Sequence, residues 1–468
     1  MTKKEQYHRY HITTQTAPEI EKWPSRFNVT VGRVGLAKNL IKEIFHFGLG
    51  ERREVVLSRP CIYGVFSGPV GGFAPRPQEC VGCLRCTTEY PDYVKVEPNP
   101  QRQKLGDSYF TFNYVNTISV EALDGSIPVK GAGYRGKFGG EGWDGMWTDM
   151  SEIVRPTRDG IHGRESISTI ADIGYAPAFL QFDTDGQVLG DTPNSLSIPL
   201  PMLFDLSAPA FNNDTFITGA AKAAAEVGTL IILPVDVIRR LGLTGEHLVP
   251  LLKEGDESKL DSLVDFRLVT LSEWDAQLYE AVRQTLPDAL VSLQINAVSD
   301  ELTGYVEAGI HVFQLVTNFH GRDPKGSFVL DSIRKLHSFF VEAGIREEIT
   351  LLGSGGMIAA EHIPKALLVG LDAVALDTPL VVAVQGKFDG ECESRETSRF
   401  SFPRNLTADW AAQRIINLAA AWRDQLLEIS GAMGIRETRR LRGEMGRAMF
   451  MADLEAAAFE GIDGYEND

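Results

Sequence analysis

The sequence predicts an α/β fold, a (β/α)8 TIM barrel with an irregular cysteine-bearing segment before it and a helical extension after it. Three observations carry that prediction. The stretch Ile349–Leu380 reads as strand, glycine turn, helix and strand. From Leu200 onward, short apolar runs alternate with helix-patterned runs, which favours a parallel barrel over a sandwich. The chain has 468 residues, enough for a barrel of about 250 with smaller parts on either side. The expected division is 1–147, 148–404 and 405–468.

Ile349–Leu352 is a short apolar run suited to a strand buried on both faces. Gly353, Ser354, Gly355 and Gly356 follow at its carboxyl end, where missing side chains let backbone N–H groups approach an anion. A helix is expected over about Glu361–Val369, with Pro364 tolerable in its first turn and its N-terminal dipole toward the same anion. Gly370 would stop it, and Asp372–Leu376 would begin the next buried strand. Because the last two strand ends of such barrels commonly hold a phosphate, the turn reads as a phosphate cup.

Upstream, Leu200–Leu206 is a strand ending in Ser207-Ala208-Pro209, Thr218–Val227 an alanine-rich helix and Thr229–Leu233 the next strand. Further strands are expected at Val264–Leu271, Ala289–Asn296 and Val312–Val316, and helices at Leu302–Ala308 and Leu330–Ala343. Pro234–Leu263 is ambiguous, so eight units do not count out cleanly. Before the barrel, Val34–Phe47 has amphipathic helical spacing and Tyr109–Val129 alternates as a hairpin would. Arg59–Pro100 is crowded with proline, glycine and cysteine, and reads as loop. Gly131–Trp147 reads as a mobile or closely packed loop whose Tyr134, Arg135, Lys137 and Glu141 are candidates to line a site. At the other end, Asn405–Gly431 is a strong helix with Thr407 as N-cap, Gly431 as stop, and Trp410 and Trp422 in an apolar stripe. Arg436, Arg439, Arg440 and Arg442 read as a solvated helix face, with a docking patch as the alternative.

Composition excludes several classes of function. With 63 acidic against 46 basic residues and a formal charge of -17, neither nucleic acid nor an anionic membrane is an expected main partner. Met1–Thr14 lacks the apolar core of a secretion signal, and the longest apolar region, Ala366–Val384, is broken by Asp372, Asp377 and Pro379. Five cysteines, three of them bunched, do not look like a disulfide framework, which points to the cytoplasm.

Cys80, Cys83 and Cys86 stand at two-residue gaps, which places three thiolates around a small concavity suited to three irons of a cubane cluster. The run resembles the ferredoxin motif CxxCxxCxxxCP, its proline included as Pro91, but Tyr90 stands where the fourth cysteine would be. A zinc site or idle thiols are the alternative, although zinc sites usually pair CxxC or Cys/His elements at a distance. Cys61 lies in the same irregular segment, and Cys392 just beyond the last expected strand. Either would complete a [4Fe-4S] cluster, with Cys61 preferred. With neither, a [3Fe-4S] cluster or a non-protein ligand follows.

Several segments together resemble the FMN-binding synthase domain of glutamate synthase and its relatives. Leu290–Ala297 (LVSLQINA) and Tyr305–Ser327 are similar to that family's VSVKL strand and its ISGHDGGTGAS segment. Gly353–Leu380 is similar to its glycine turn, helix and GTPL strand. Ala432–Thr438 with Leu441-Arg442-Gly443 is similar to its ALGVRS and LRGR motifs, and Thr157–Ile173 to the segment that enters FMN barrels. The resemblance covers roughly 148–445. It implies FMN at the barrel mouth, with Ser207 and Ala208 bordering the ring, Gly353–Gly356 holding the phosphate, and Asp377 and Thr378 beside it. Gln294 stands where the family has a lysine, so it can donate a hydrogen bond to the ring but cannot neutralise charge. That implies a lower flavin potential or a surrogate cation such as Lys325 or Arg322. Asp377 in place of a glycine is a second departure, because a carboxylate facing a phosphate costs energy unless turned away or protonated.

The implied activity is reduction of an imino acid formed from 2-oxoglutarate and ammonia or a small amine, with electrons entering through the cysteine cluster. Arg135, Arg322 and Lys325 are candidates for substrate carboxylates, and His320, with Lys325, for catalysis. An electron donor such as ferredoxin, a glutaminase or other subunits, and an oligomer are the implied partners. An FMN-dependent dehydrogenase or oxidase of another small acid, and a non-catalytic electron-transfer subunit, are the competing readings.

Overall fold

The computed structural model describes residues 10–47, 61–128, 140–148, 167–177, 179, 181–189, 194–262 and 266–462. Eight parallel strands close into a barrel in chain order. They are β1 (Met202–Asp205), β2 (Ile231–Pro234), β3 (Leu248–Leu252), β4 (Leu268–Leu271), β5 (Leu290–Ile295), β6 (Val312–Val316), β7 (Thr350–Ser354) and β8 (Ala373–Leu376). The ambiguous region supplies β3, preceded by a helix at Val235–Leu241. Pro250 in the middle of β3, and only a 3-10 turn at Glu257–Ser262 before β4, explain why the pattern hides there.

Inward positions follow the two-residue period of a strand. At the amino ends they are apolar: Leu203, Leu268, Leu290, Val312 and Leu352 pack in one cluster. An antiparallel hairpin, Ala171–Tyr175 with Asn194–Ile198, plugs that end through Ala171, Ile173, Leu196 and Ile198. Both backbone groups of Gly174 are held by Thr350 Oγ1, at 3.0 and 2.9 Å. Two residues further along each strand the interior turns polar, at Asp205, Thr270, Ser292, Gln314 and Ser354, all buried. The barrel therefore has a dry bottom and a hydrogen-bonded top.

Residues 109–128 do not form the hairpin expected over Tyr109–Val129, whose last residue lies outside the described residues. Phe112–Asp124 is a helix whose Val115, Ile118 and Ala122 are buried, with Gly125 ending it at φ +80°. Its buried face repeats with helical spacing, and packing against the C-terminal helix outweighs the alternation of apolar and polar residues. That helix, Ala408–Ala432, is capped by Thr407 as expected, but runs past Gly431 and stops before Gly434, which takes φ +72°. Buried Arg414 and Asn417 tie it to the N-terminal segment: Arg414 Nη1 donates to Ala17 O at 2.7 Å, and Asn417 Nδ2 to Gln15 O and Ala122 O. Arg439 and Arg442 are not a solvated helix face. They lie in or beside a 3-10 turn and pair with Asp172 and Glu437, and with Asp372 and Glu347, respectively. Among the described residues, no helix is long and apolar enough to cross a membrane.

Candidate functional site

The carboxyl ends of β4 to β6 and the segment after β8 enclose a cavity of 1020 Å3. Gln294 and Arg322 line it, as do Trp274, Tyr305, Thr317 and Arg395. Ser207, Ala208 and the glycine turn do not line this cavity. Neither do His320 and Lys325. Arg135, Tyr134 and Lys137 lie outside the described residues.

The turn after β7 is buried throughout, with Gly355 at φ +94° and Gly356 at φ +72°. A Cβ on Gly355 would stand 2.3 Å from Thr317 Oγ1, and one on Gly356 2.5 Å from the Cα of Gly321. Glycine is therefore required at both positions by conformation and by space. The Gly356 carbonyl accepts from Tyr109 Oη at 2.6 Å and from Trp143 Nε1 at 2.9 Å. The N–H groups of Gly355, Gly356 and Met357 have no partner among the described residues. The following helix is shorter than expected: it is His362–Leu368, so its dipole adds less and the turn's own N–H groups carry the positive potential.

One network joins five of the residues that the sequence marked: Ser207, Gln294, Ser354, Asp377 and Thr378. Arg395, buried at 9% exposure, bridges Asp205 at 2.7 Å and Asp377 at 2.9 Å. Asp205 also accepts from Ser207 N at 3.0 Å and from Gln314 Nε2 at 3.2 Å. Gln314 reaches Ser354 Oγ at 3.1 Å and accepts from Gln294 Nε2 at 3.2 Å. Asp377 caps Thr378 N with its other oxygen, so the Thr378 N–H is already taken. Burial pushes the Asp377 carboxyl above the ordinary range, reinforced by Asp205 and opposed by Arg395. Sequence reading missed Asp205, Gln314 and Arg395. The first two had a signal, a polar residue at an inward position of an apolar strand; Arg395 sits in irregular chain and had none.

His320 lies outside the cavity because Asp107 holds it, Nε2 to Oδ2 at 2.9 Å, with its ring stacked on Tyr109. Asp107 also accepts from the amides of Tyr109, Phe110 and Cys392. Burial raises its carboxyl, but His320 and those amides outweigh burial and leave it below the ordinary value. Lys325 is exposed.

A second cavity, of 210 Å3, lies in the N-terminal region, where Phe27–Val31 pairs antiparallel with Val94–Pro98. Cys61, Cys80, Cys83 and Cys86 all line it, with Val29, Val65 and Val96 as apolar walls. Cys392 is buried elsewhere, its Sγ 3.3 Å from Arg399 O. Gly82 takes φ +75° against the Phe27 ring, which folds the cysteine loop back on itself. Among the described residues, no three cysteine sulfurs lie within 4.8 Å of one another. Zn–S bonds of 2.3 Å would require S···S spacings of about 3.8 Å, closer than any three of these sulfurs stand here. Burial, then Cys80, Cys61 and Cys83, pushes the Cys86 thiol up to about 11.

No family model matches the chain. It is 22% identical over 435 residues to the archaeal-type glutamate synthase (NADPH) of Dehalococcoides mccartyi, spanning 79% of this chain and 86% of that protein. To the archaeal glutamate synthase (NADPH) of Archaeoglobus fulgidus it is 23% identical over 461 residues, 82% of this chain and 89% of the other. A solved structure of a mandelate oxidase variant covers 63% of this chain and 91% of its own, at 16% identity and TM-score 0.39. By sequence the chain is thus similar to the archaeal-type glutamate synthases over most of its length, as its motifs imply.

Proposed function

We propose that the protein is an FMN-dependent oxidoreductase of the glutamate synthase type, carrying an iron–sulfur cluster on Cys61, Cys80, Cys83 and Cys86. The observation that carries the flavin reading is the turn after β7. Buried N–H groups without partners are rare in folded proteins, and three stand together at the barrel end where a phosphate is held in related folds. Gly353, Ser354, Gly355 and Gly356 would hold the phosphate. Ser207, Ala208 and Gln294 would border the ring, with Asp377 and Thr378 nearby. Pairing with Arg395 offsets the cost of placing Asp377 close to a phosphate. Bound FMN supplies hydride transfer, and an iron–sulfur cluster supplies single electrons. Gln294 offers the ring an amide donor without charge.

Four cysteines on one cavity, three of them at two-residue gaps, support a cluster with Cys61 as fourth ligand. The raised thiols of Cys80 and Cys86 would have to lose protons on binding, as metal assembly requires. The acceptor we propose is an imino acid formed from 2-oxoglutarate and ammonia or a small amine, yielding glutamate or an N-alkyl glutamate. Arg322, on the cavity wall, is the available partner for a substrate carboxylate. An electron donor of the ferredoxin kind and a separate source of ammonia complete this reading. The test is an ultraviolet–visible spectrum of anaerobically purified protein, with flavin and iron quantified on the same sample. Flavin bands over a broad shoulder, both bleaching with dithionite, are expected. A colourless, iron-free, folded protein overturns the proposal.

A further inference from the structure

The charge of the barrel-mouth cavity does not match a dicarboxylate. Among the described residues, Glu273, Glu301, Asp323, Glu391, Glu393 and Glu396 line it, against Arg322 and Arg395. Arg395 is not available to a ligand's carboxylate, because both of its arms are spent on Asp205 and Asp377. The buried trio therefore holds two carboxylates against one guanidinium, and the floor adds no net positive charge. Gln294 adds none either. Arg322 is exposed, donates to the carbonyl of Gly326 at 3.3 Å and lies over the Phe328 ring. From the described residues, a dianion entering here would meet a negative potential with one solvated cation to oppose it.

The wall has a second feature that suits a cation. Trp274 and Tyr305 pack with ring centroids 5.0 Å apart on the same cavity. Aromatic faces attract organic ammonium groups, and more strongly where water is excluded. A volume of 1020 Å3 is far more than ammonia needs.

We propose that this cavity binds an amine with more than one ammonium group, a diamine or polyamine, against the carboxylate rim and the Trp274–Tyr305 wall. This inference rests on the barrel mouth being the substrate site of the oxidoreductase proposed above. It assigns the mouth to the amine partner of the C–N chemistry. The 2-oxo acid would then enter only beside a bound amine, whose charge it would need.

The experiment is calorimetric titration of the full-length protein with spermidine, putrescine, methylammonium and 2-oxoglutarate, with flavin and iron measured on the same preparation. Spermidine should bind most tightly, methylammonium least among the amines, and 2-oxoglutarate alone not measurably. Raising the salt concentration should weaken spermidine binding. The double variant Glu273→Gln/Glu396→Gln, which alters two exposed carboxylates, should weaken it about tenfold without changing thermal unfolding. Trp274→Leu should weaken all the amines. Tighter binding of 2-oxoglutarate than of spermidine, spermidine binding unchanged in the double variant, or no binding of either overturns the inference. Spermidine binding by a flavin-free preparation would keep the ligand class and remove the oxidoreductase. A flavin-loaded protein that ignores amines would do the reverse.

Discussion

The cysteine region and the barrel are stabilised in opposite ways. The buried apolar cluster around the cysteines is Val65, Phe66, Cys80 and Val94, supported by partly buried neighbours that include Cys61 and Cys86. The barrel core runs through strands and surrounding helices, and continues into the helices Phe112–Asp124 and Ala408–Ala432. A core as small as the first does not offset the entropy of ordering its loops without a cross-link or a metal. Among the described residues, the cysteines thus sit in the smaller core, where a bound ligand would add most to order, whereas the barrel closes on its own apolar packing. The difference separates a region whose fold depends on its chemistry from one whose fold merely presents it.

Breaking the first region should give the largest effect. Cys80→Ser should abolish iron binding and expose residues 61–98 to protease, while the barrel still unfolds cooperatively. Cys61→Ser should change the cluster from a four-iron to a three-iron paramagnetic signature, and Cys392→Ser should leave iron content unchanged. If Cys392→Ser loses iron and Cys61→Ser does not, the fourth ligand has been assigned to the wrong sulfur. If Cys80→Ser unfolds the barrel as well, the two regions are not independent.

Within the barrel, the corresponding weak point is the buried trio. Arg395→Leu leaves Asp205 and Asp377 buried without their counter-charge, and should cost about 3–5 kcal/mol in denaturant unfolding. Adding Asp377→Asn should restore part of the loss. The loss should also depend on pH. Burial already pushes the Asp377 carboxyl above the ordinary range, and losing Arg395, which opposes that shift, should push it further. The variant should be least destabilised at low pH and worsen as pH rises through that raised value. A pH-independent loss would mean that Arg395 acts through packing alone.

Gly355→Ala tests the turn with a smaller effect on stability. At φ +94° and 2.3 Å from Thr317 Oγ1, the added methyl should cost about 1–3 kcal/mol. Its effect on cofactor should be larger, with the flavin-to-protein ratio falling while iron content stays constant. A variant that retains full flavin would move the phosphate site elsewhere.

How much of this was legible in the sequence follows from where the information sits. Periodicity and turn residues gave the strands flanking the glycine turn, because each is a local apolar run with its own stop. The helix at Phe112–Asp124 does not show in the sequence because apolar and polar residues alternate along much of it, and only the partner helix decides which face is buried. Asp205 and Gln314 were hidden inside apolar strands, although a polar residue in step with inward apolar neighbours marks a lumen position. Arg395 was beyond reach, since its role depends on two carboxylates 190 and 18 residues away. The cysteine spacing was legible, but the convergence of Cys61 with the other three depends on the Gly82 turn against Phe27 and on the strand pair that frames it.

The smallest expected effect asks whether the barrel's closed end is as independent of ionisation as its apolar core suggests. His337 lies there as a neutral acceptor, taking a hydrogen bond from Arg346 Nε at 3.1 Å, with its ring packed against Gly370 and Gly443. Burial, then Arg346 and Arg442, pushes its pKa from 6.5 down to about 4. A histidine depressed in the fold contributes stability that is complete above its ordinary value and is lost as pH falls toward the depressed one. Unfolding stability should therefore decline between pH 6.5 and about 4. The slope should stay below about 1.4 kcal/mol per pH unit, because the ring is only half-buried and solvent screens part of the charge. His337→Gln, which keeps an acceptor but cannot titrate, should flatten that part of the curve. If the slope persists in the variant, the proton enters elsewhere, and not at Asp107, whose depressed carboxyl loses stability only at still lower pH.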